Sequence, residues 1–532
     1  METVVHPRLR PGALEDRAYQ AKIAAAAAES NTLAVLPTGL GKTAIALRLT
    51  AEYLRRFPTR SVLILAPTRP LVVQHSESVR KAVLGPPPVV LTGAVGPGAR
   101  ADLLAPPQVV VATPQVVGND LASGTFPLDT FSLIVFDEAH RARGDYPYVA
   151  IASANRAGPK ARVFALTASP GSQLDPIREV WRNLGIAHFE YRTADDPDVR
   201  PYVHAIGFET VPVPVPPEVQ RIAAEIRTAA RHQEDELAKM DLIREGVASK
   251  RELLALGNQL RREISQARAR GESAGPRVWK AMTHQAAAMK ALHALELAET
   301  QGVDAVRQFF ERQTADRRSP AQRLFLGDPN IRAARELLSA VQIEHPKLAA
   351  AVRLVREELD RSPQARVIVF AQYRQTAERV VAELVETHDP NVRAARFVGQ
   401  SSTEADAGMS QKDQVHLLDR FRAGEVNCLV ATSVAEEGLD VPSTDLVVFY
   451  EPVPDLVRTI QRRGRTGRAR AGRVVVLVAE GTRDVGLDRS SRGKERRMHE
   501  MLERLEDEAR VGTVPPPAPH AVQRQLDEFR PA

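Results

Sequence analysis

The chain has 532 residues, 43% of them hydrophobic, and carries 72 Lys and Arg against 66 Asp and Glu for a formal net charge of +6. This length exceeds one ordinary domain, so roughly two to four are expected, with a basic surplus that suits a polyanionic partner. The single cysteine, Cys428, excludes an intrachain disulfide framework and a cysteine-cluster zinc site. No apolar run reaches bilayer length, and Met1 to Pro11 lacks the apolar core of a signal peptide, so a soluble intracellular protein with no membrane role is expected.

From Ala13 to about Val215, short aliphatic strands alternate with helical stretches: Thr32–Leu36, Val62–Ala66, Val109–Ala112, Leu133–Phe136 and Val163–Leu166. Such strands specify a parallel sheet covered on both faces, whose ligands gather at the carboxyl ends. The first of them opens the stretch Asn31–Thr43, which runs through Pro37, Thr38, Gly39, Leu40 and Gly41 into Lys42 and Thr43 at the head of an Ala/Leu-rich helix. Backbone N–H groups of a loop bent by Gly39 and Gly41 can wrap phosphate oxygens. Lys42 can reach the terminal phosphates, and Thr43 can hold Mg²⁺. Leu36 stands where the general pattern has its first small residue.

Asp137, Glu138, Ala139 and His140 follow the strand Leu133–Phe136 directly. Asp137 can hold the Mg²⁺ that bridges two phosphates, and Glu138 can orient and deprotonate the attacking water. Alone, the two acids would read as a solvated turn; with Lys42 upstream they read as the other half of a nucleotide site.

Pro212, Pro214, Pro216 and Pro217 mark an extended connector, after which Val219 to about Gln342 shows helical spacing throughout. The part from Lys250 to Lys280 is rich in arginine, including Arg251, Arg261, Arg262 and Arg268. It reads either as a solvated helix face or as a polyanion-binding one. After His345-Pro346-Lys347-Leu348 a second α/β pattern has strands at Val367–Phe370, Ala395–Val398, Cys428–Ala431, Leu446–Phe449 and Val474–Val478. It contains Gln461-Arg462-Arg463-Gly464-Arg465-Thr466-Gly467-Arg468. Basic runs are usually solvated or polyanion-binding. Arginines brought to a nucleotide from a second domain also stabilise the charge spread over a transferring phosphoryl group. Lys494–Arg510 is densely charged at helical spacing, and a proline-rich linker then leads to a short tail. In that tail Gln523, Leu526 and Phe529 fit Q-x-x-L-x-x-F, the pattern by which peptides dock on a PCNA-like sliding clamp, although Arg530 stands where many such peptides have a second aromatic.

These motifs, in this order, resemble those of a superfamily 2 helicase of the DEAH-box kind. Leu36–Thr43 is similar to motif I, Asp137–His140 to motif II, Thr167-Ala168-Ser169 to motif III and Gln461–Arg468 to motif VI. Arg17, Tyr19 and Gln20 resemble the adenine-recognition element. Ala66–Arg69 and Ala112–Pro114 resemble motifs Ia and Ib, Val369–Arg374 motif IV, and Ala431–Asp440 motif V. LPTGLGKT, DEAHRA, EHPKL, FAQYR and GMSQKDQ, with the helical insert, are similar to the archaeal Hef branch, which includes FANCM-type enzymes.

The resemblance implies two RecA-like parallel-sheet domains with an inserted α-helical domain. The expected partition is 1–215 for the first, 216–342 for the insert, 343–493 for the second, 494–510 for a charged helix and 511–532 for linker and tail. It implies ATP and Mg²⁺ as cofactors, held and turned over by Lys42, Thr43, Asp137 and Glu138. Arg17, Gln20 and residues 37–43 would surround the nucleotide, with Gly438 and Asp440 near its ribose. Gln461, Arg465 and Arg468 would face the γ-phosphate, and His140, Thr167 and Ser169 would couple the site to the cleft. Arg69, Thr113, Gln372 and Thr432 would contact the nucleic-acid backbone, and Arg261 and Arg262 would grip duplex. The expected function is ATP-driven handling of forked or branched DNA in the cytoplasm, associated with the nucleoid. Alternatives are an RNA-duplex-dependent ATPase and an ATP-gated clamp without translocation. Hef proteins often carry a nuclease domain after the helicase, and the chain is expected to stop too soon to hold one.

Overall fold

The computed structural model describes residues 2–510 except 105–106, 159, 169–170, 172, 203–205, 245–248, 316–318, 400–407, 433–443 and 454–471. In the first domain lie strands β1 (Thr32–Val35), β2 (Ser61–Leu65), β3 (Val89–Leu91), β4 (Val109–Ala112), β5 (Phe131–Phe136), β6 (Arg162–Thr167) and β7 (His188–Tyr191). They pair in the order β3-β4-β2-β5-β6-β1-β7, every ladder parallel. Successive side chains of a strand point to opposite faces. Accordingly Leu33, Val35, Leu63 and Leu65 enter one core, while Ala34, Val62 and Ile64 enter the other. Helices α1 (Ala18–Glu29), α2 (Lys42–Arg56) and α3 (Arg69–Ala82) cover the second of these through Ile23, Ile45, Leu49, Val72 and Val79. Burial on both faces is why these strands read as unbroken apolar runs.

The second sheet contains β8 (Ile206–Val213), β9 (Val367–Phe370), β10 (Ala394–Phe397), β11 (Cys428–Ala431), β12 (Leu446–Phe449) and β13 (Gly472–Ala479). Its order is β10-β11-β9-β12-β13-β8, again all parallel. The insert, among its described residues, folds as helices Pro217–Ala238, Lys250–Ala269, Pro276–Thr300, Val303–Ala315, Pro320–Gly327 and Pro329–Ala340. Four of them carry proline in the first turn, where its missing N–H costs nothing, and the second is closed by a capping box of Ser249 and Glu252. Five of them share a core that includes Ile222, Ile226, Ala291, Phe310 and Phe325, the two rings stacked at 5.8 Å, while Lys250–Ala269 packs in a separate cluster through Leu253, Leu256 and Leu260. These are the two RecA-like sheets and the helical insert that the resemblance implies.

The partition drawn from the sequence differs from the structure in two places. Residues up to 215 were expected to go with the first sheet, but β8 pairs along its full length with β13. An edge strand exposed over Ile206–Glu209 lacks the continuous apolar run that marks an interior strand. The charged segment 494–510 is the continuation of a helix that starts at Arg483 and runs to Arg510. Its surface is charged, yet Met498, Leu502 and Leu505 form an apolar stripe buried in the core of the first sheet. The helix therefore bridges the two sheet domains. At its start Asp484, 1% exposed, is paired with the fully buried Lys347. Further along, Arg178 pairs with Glu508 at 3.4 Å.

A polar knot fastens the insert to the second sheet. Glu296 accepts from Lys250 at 2.9 Å and from the Tyr373 hydroxyl at 3.2 Å, and it pairs with Arg483 at 2.6 Å. Glu299 pairs with Arg227 at 2.5 Å. Gln301 accepts from Thr376 at 2.5 Å. His345 completes the knot: its Nδ1 accepts from the Lys347 N–H at 3.2 Å while Nε2 donates to the Glu299 carbonyl at 3.1 Å. Only the neutral imidazole can do both.

Burial, and next to it the Lys347 charge, push the His345 pKa down to about 4. The unfolded chain therefore takes up the proton first as pH falls below about 6.5, and stability declines from there towards pH 4. Chemical denaturation at pH 7 and pH 5 should show His345→Gln less stable at pH 7. It should also lose about 2 kcal/mol less than the wild type on acidification to pH 5. Equal losses in the two proteins would rule this role out.

Candidate nucleotide site

Every candidate residue of the first domain that follows a strand lies where a parallel strand ends. Lys42 follows β1, Arg69 follows β2, Thr113 follows β4, Asp137 and Glu138 follow β5, and Thr167 ends β6. The loop between β1 and α2 turns through Gly39 and Gly41, both at positive φ. Gly41 is required twice over, because at φ 72° a Cβ would also lie 2.5 Å from the Gln20 amide nitrogen. No side chain caps α2, and the first-turn N–H groups of a helix suit an anion. Lys42 Nζ donates to the Leu36 carbonyl at 3.1 Å.

Asp137 is fixed at four points. Its N–H donates to Leu65 O at 2.9 Å, and its carbonyl accepts from the buried Tyr148 hydroxyl at 2.7 Å. Its Oδ1 accepts from the Glu138 N–H at 3.0 Å, and its Oδ2 accepts from His75 Nε2 at 2.8 Å. Burial alone would raise its pKa; the His75 hydrogen bond and charge and the nearby Lys42 ammonium outweigh it and hold the carboxyl below its usual range. Glu138 sits in the left-handed region at φ 50°, ψ 49°, a conformation that costs about 1–2 kcal/mol for a residue with a Cβ. Its Oε2 lies 3.3 Å from His140 Nδ1, which is in turn 3.1 Å from Thr167 Oγ1. The Thr167 carbonyl accepts from the Leu36 N–H at 3.1 Å. Close polar contacts thus run from the strained acid through His140 and Thr167 to the base of the phosphate loop.

The donors fit the expected ion. Among the described residues no cluster of three or more His, Cys, Asp or Glu side chains could hold a metal. One carboxylate and one hydroxyl, Asp137 and Thr43, leave Mg²⁺ to complete its shell with water and nucleotide phosphates, which is its habit.

Other expected residues fall as follows. Gln20 is 2% exposed, its amide donating to Leu40 O at 3.2 Å beside the Tyr19 hydroxyl, so it braces the phosphate loop from beneath. Arg17 pairs with Glu15 at 2.7 Å and covers the Tyr202 ring. Arg69 and Gln372 are exposed, whereas Thr113 and Thr432 are almost buried. Arg261 and Arg262 lie exposed on the insert helix Lys250–Ala269. Ser169, Gly438, Asp440, Gln461, Arg465, Arg468, Gln523, Leu526 and Phe529 lie outside the described residues. Two residues of the site went unrecognised in the sequence, His75 and Tyr148. The first left a signal: it occupies the buried stripe Val72, His75, Val79, Ala82 of α3, where a core residue is expected.

Three family descriptions match consecutive parts of the chain: "DEAD/DEAH box helicase" over 17–177, an RNA-helicase helical bundle over 218–345, and "Helicase conserved C-terminal domain" over 348–470. The crystal structure of the Pyrococcus furiosus Hef helicase domain is 42% identical, with a TM-score of 0.68, over 91% of this chain and all of that one. A Methanocaldococcus jannaschii protein named for RNA-helicase activity is 38% identical over 94% of this chain. The Fanconi anemia group M protein of Gallus gallus is 31% identical over 90%. The chain spans 62% and 25% of the lengths of those two relatives. From its matched domains, its fold and its identity to the Pyrococcus domain, the chain belongs to the superfamily 2 DEAD/DEAH-box helicases, in the Hef and FANCM-like branch.

Proposed function

We propose that the chain is an ATP-dependent helicase or translocase that works on forked or branched DNA in repair or replication-fork processing. The observation that carries the reading is the coincidence of a strained acid, Glu138, with the fixed Asp137 carboxylate and Lys42 at one sheet edge. Lys42 and the amides of the phosphate loop bind the β- and γ-phosphates, Gln20 holds that loop in shape, and Asp137 and Thr43 hold the ion. Mg²⁺, when bound, supplies charge neutralisation for the departing phosphate. Glu138 orients a water in line and takes its proton, and Arg465 and Arg468 stabilise the charge that develops. His140 and Thr167, in contact with Glu138 and with the base of the phosphate loop, couple the site to the cleft.

Support for a nucleic-acid track comes from the exposed arginines of the helix Lys250–Ala269, since basic side chains on one exposed face bind the phosphates of DNA and RNA alike. An ATP-dependent DNA helicase of Neurospora crassa is 33% identical over 90% of this chain, whereas the Methanocaldococcus relative is named for RNA. No described helix is long and apolar enough to cross a membrane. The tail residues Gln523, Leu526 and Phe529 are assigned to docking on a sliding clamp. A peptide of residues 521–532 should bind purified PCNA-like clamp, with Phe529→Ala abolishing it; no binding by the parent peptide would remove this assignment.

Glu138→Gln should lower ATP turnover by about 10²–10⁴-fold, the usual share of a positioned base, with nucleotide affinity retained. Turnover at the wild-type rate would exclude hydrolysis at this site and favour a binding clamp. ATPase stimulation should be greatest with forks and four-way junctions; stimulation by duplex RNA alone would overturn the DNA reading. Replacing Arg261 and Arg262 together by Ala should flatten the slope of log affinity against log salt for fork DNA by about 2, roughly one for each phosphate that an arginine no longer neutralises.

A further inference from the structure

We propose that His75 is a positioning residue for the carboxylate that would hold the nucleotide's Mg²⁺: it fixes the rotamer of Asp137. This rests on the reading that Asp137 holds that ion. The geometry is specific. His75 and Asp137 are 6% and 7% exposed, and the ring meets Oδ2 at 2.8 Å. The other oxygen, Oδ1, is held by the Glu138 N–H at 3.0 Å. The contacts from Leu65 and Tyr148 touch only the backbone of Asp137. Of the two hydrogen bonds that reach the carboxylate from described residues, the one from Glu138 is local and follows from the turn itself. Among the described residues, only His75 bonds this side chain to a separate element, α3, and thereby to the packing of Val72 and Val79 beneath it.

A carboxylate oxygen accepts from more than one partner, so a hydrogen bond from His75 leaves room for an ion or its water. Partners of this kind orient metal ligands, and losing one typically weakens metal affinity 10–100-fold. The bland alternative is a core histidine that merely satisfies its ring on the nearest acceptor. The two differ in what they change: a packing role alters folding alone, whereas a positioning role alters the ion's hold on the nucleotide complex and leaves nucleotide binding without the ion untouched.

The test uses the full chain and a fluorescent, non-hydrolysable ATP analogue, titrated with Mg²⁺ and, separately, bound in EDTA. His75→Leu keeps the ring's apolar bulk and removes the donor; His75→Gln keeps a donor of similar reach. The leucine variant should raise the Mg²⁺ midpoint about tenfold or more, with affinity in EDTA within about twofold of wild type, and the glutamine variant should recover most of the loss. An unchanged Mg²⁺ midpoint in His75→Leu, or an equal loss of affinity with and without the ion, would overturn the proposal. Asp137→Asn is measured alongside: if it leaves the midpoint unmoved, the reading of Asp137 itself fails, whereas a shift there without one in His75→Leu removes His75 alone. Should the leucine variant not fold, His75→Asn, whose amide stops short of Oδ2, takes its place with the same two readouts.

Discussion

Strands covered on both faces have only their ends left for chemistry, and in a parallel sheet the carboxyl ends all lie along one edge. Here that edge collects Lys42, Arg69, Thr113, Asp137, Glu138 and Thr167 from five strands scattered over more than a hundred residues. The flanking helices then decide how rigidly each group is held. Gln20 from α1 lies under the phosphate loop, and His75 from α3 meets the Asp137 carboxylate. The strain at Glu138 is tolerated because Asp137 and Tyr148 fix the turn on one side and the Arg141 N–H bonds back to the Glu138 carbonyl on the other.

A second constraint governs the insert. Glu296 and Glu299, both nearly buried on one helix, draw partners from four places in the chain: the cations of Arg227, Lys250 and Arg483 and the hydroxyl of Tyr373. A buried carboxylate stripped of its partner is costly, so such a knot resists being pulled apart piecemeal. The insert is thereby tied to the second sheet domain, whose β9 leads directly into Tyr373. The helix Arg483–Arg510 leaves this knot and buries its far end in the first domain. One element thus touches all three parts of the chain.

How much of this could be read beforehand follows from what each element buries. Interior strands such as β2, β5, β9 and β12 were legible because both of their faces are apolar; the edge strands β3, β7 and β8 were not, because half-exposed positions such as Phe208 and Glu209 resemble loop. The helix Arg483–Arg510 was read only in its charged part, since three apolar residues among many charges give a faint stripe. His75 is silent for the opposite reason: within α3 it sits where a core residue belongs, and no local pattern reveals that the neighbour across the core is a carboxylate.

The sequence by itself determined the class of fold and picked out the candidate nucleotide residues. Gly39, Gly41, Lys42, Thr43, Asp137 and Glu138 stand out because they belong to local geometry, a tight loop into a helix and a turn after a buried strand, and local geometry is written in adjacent residues. The tertiary structure alone decided the contacts between distant segments: His75 on Asp137, 62 residues apart, Lys347 on Asp484, 137 apart, and β8 on the far sheet. Such pairings depend on which surfaces meet once the cores have closed, and burial of apolar area, which closes them, is not directional.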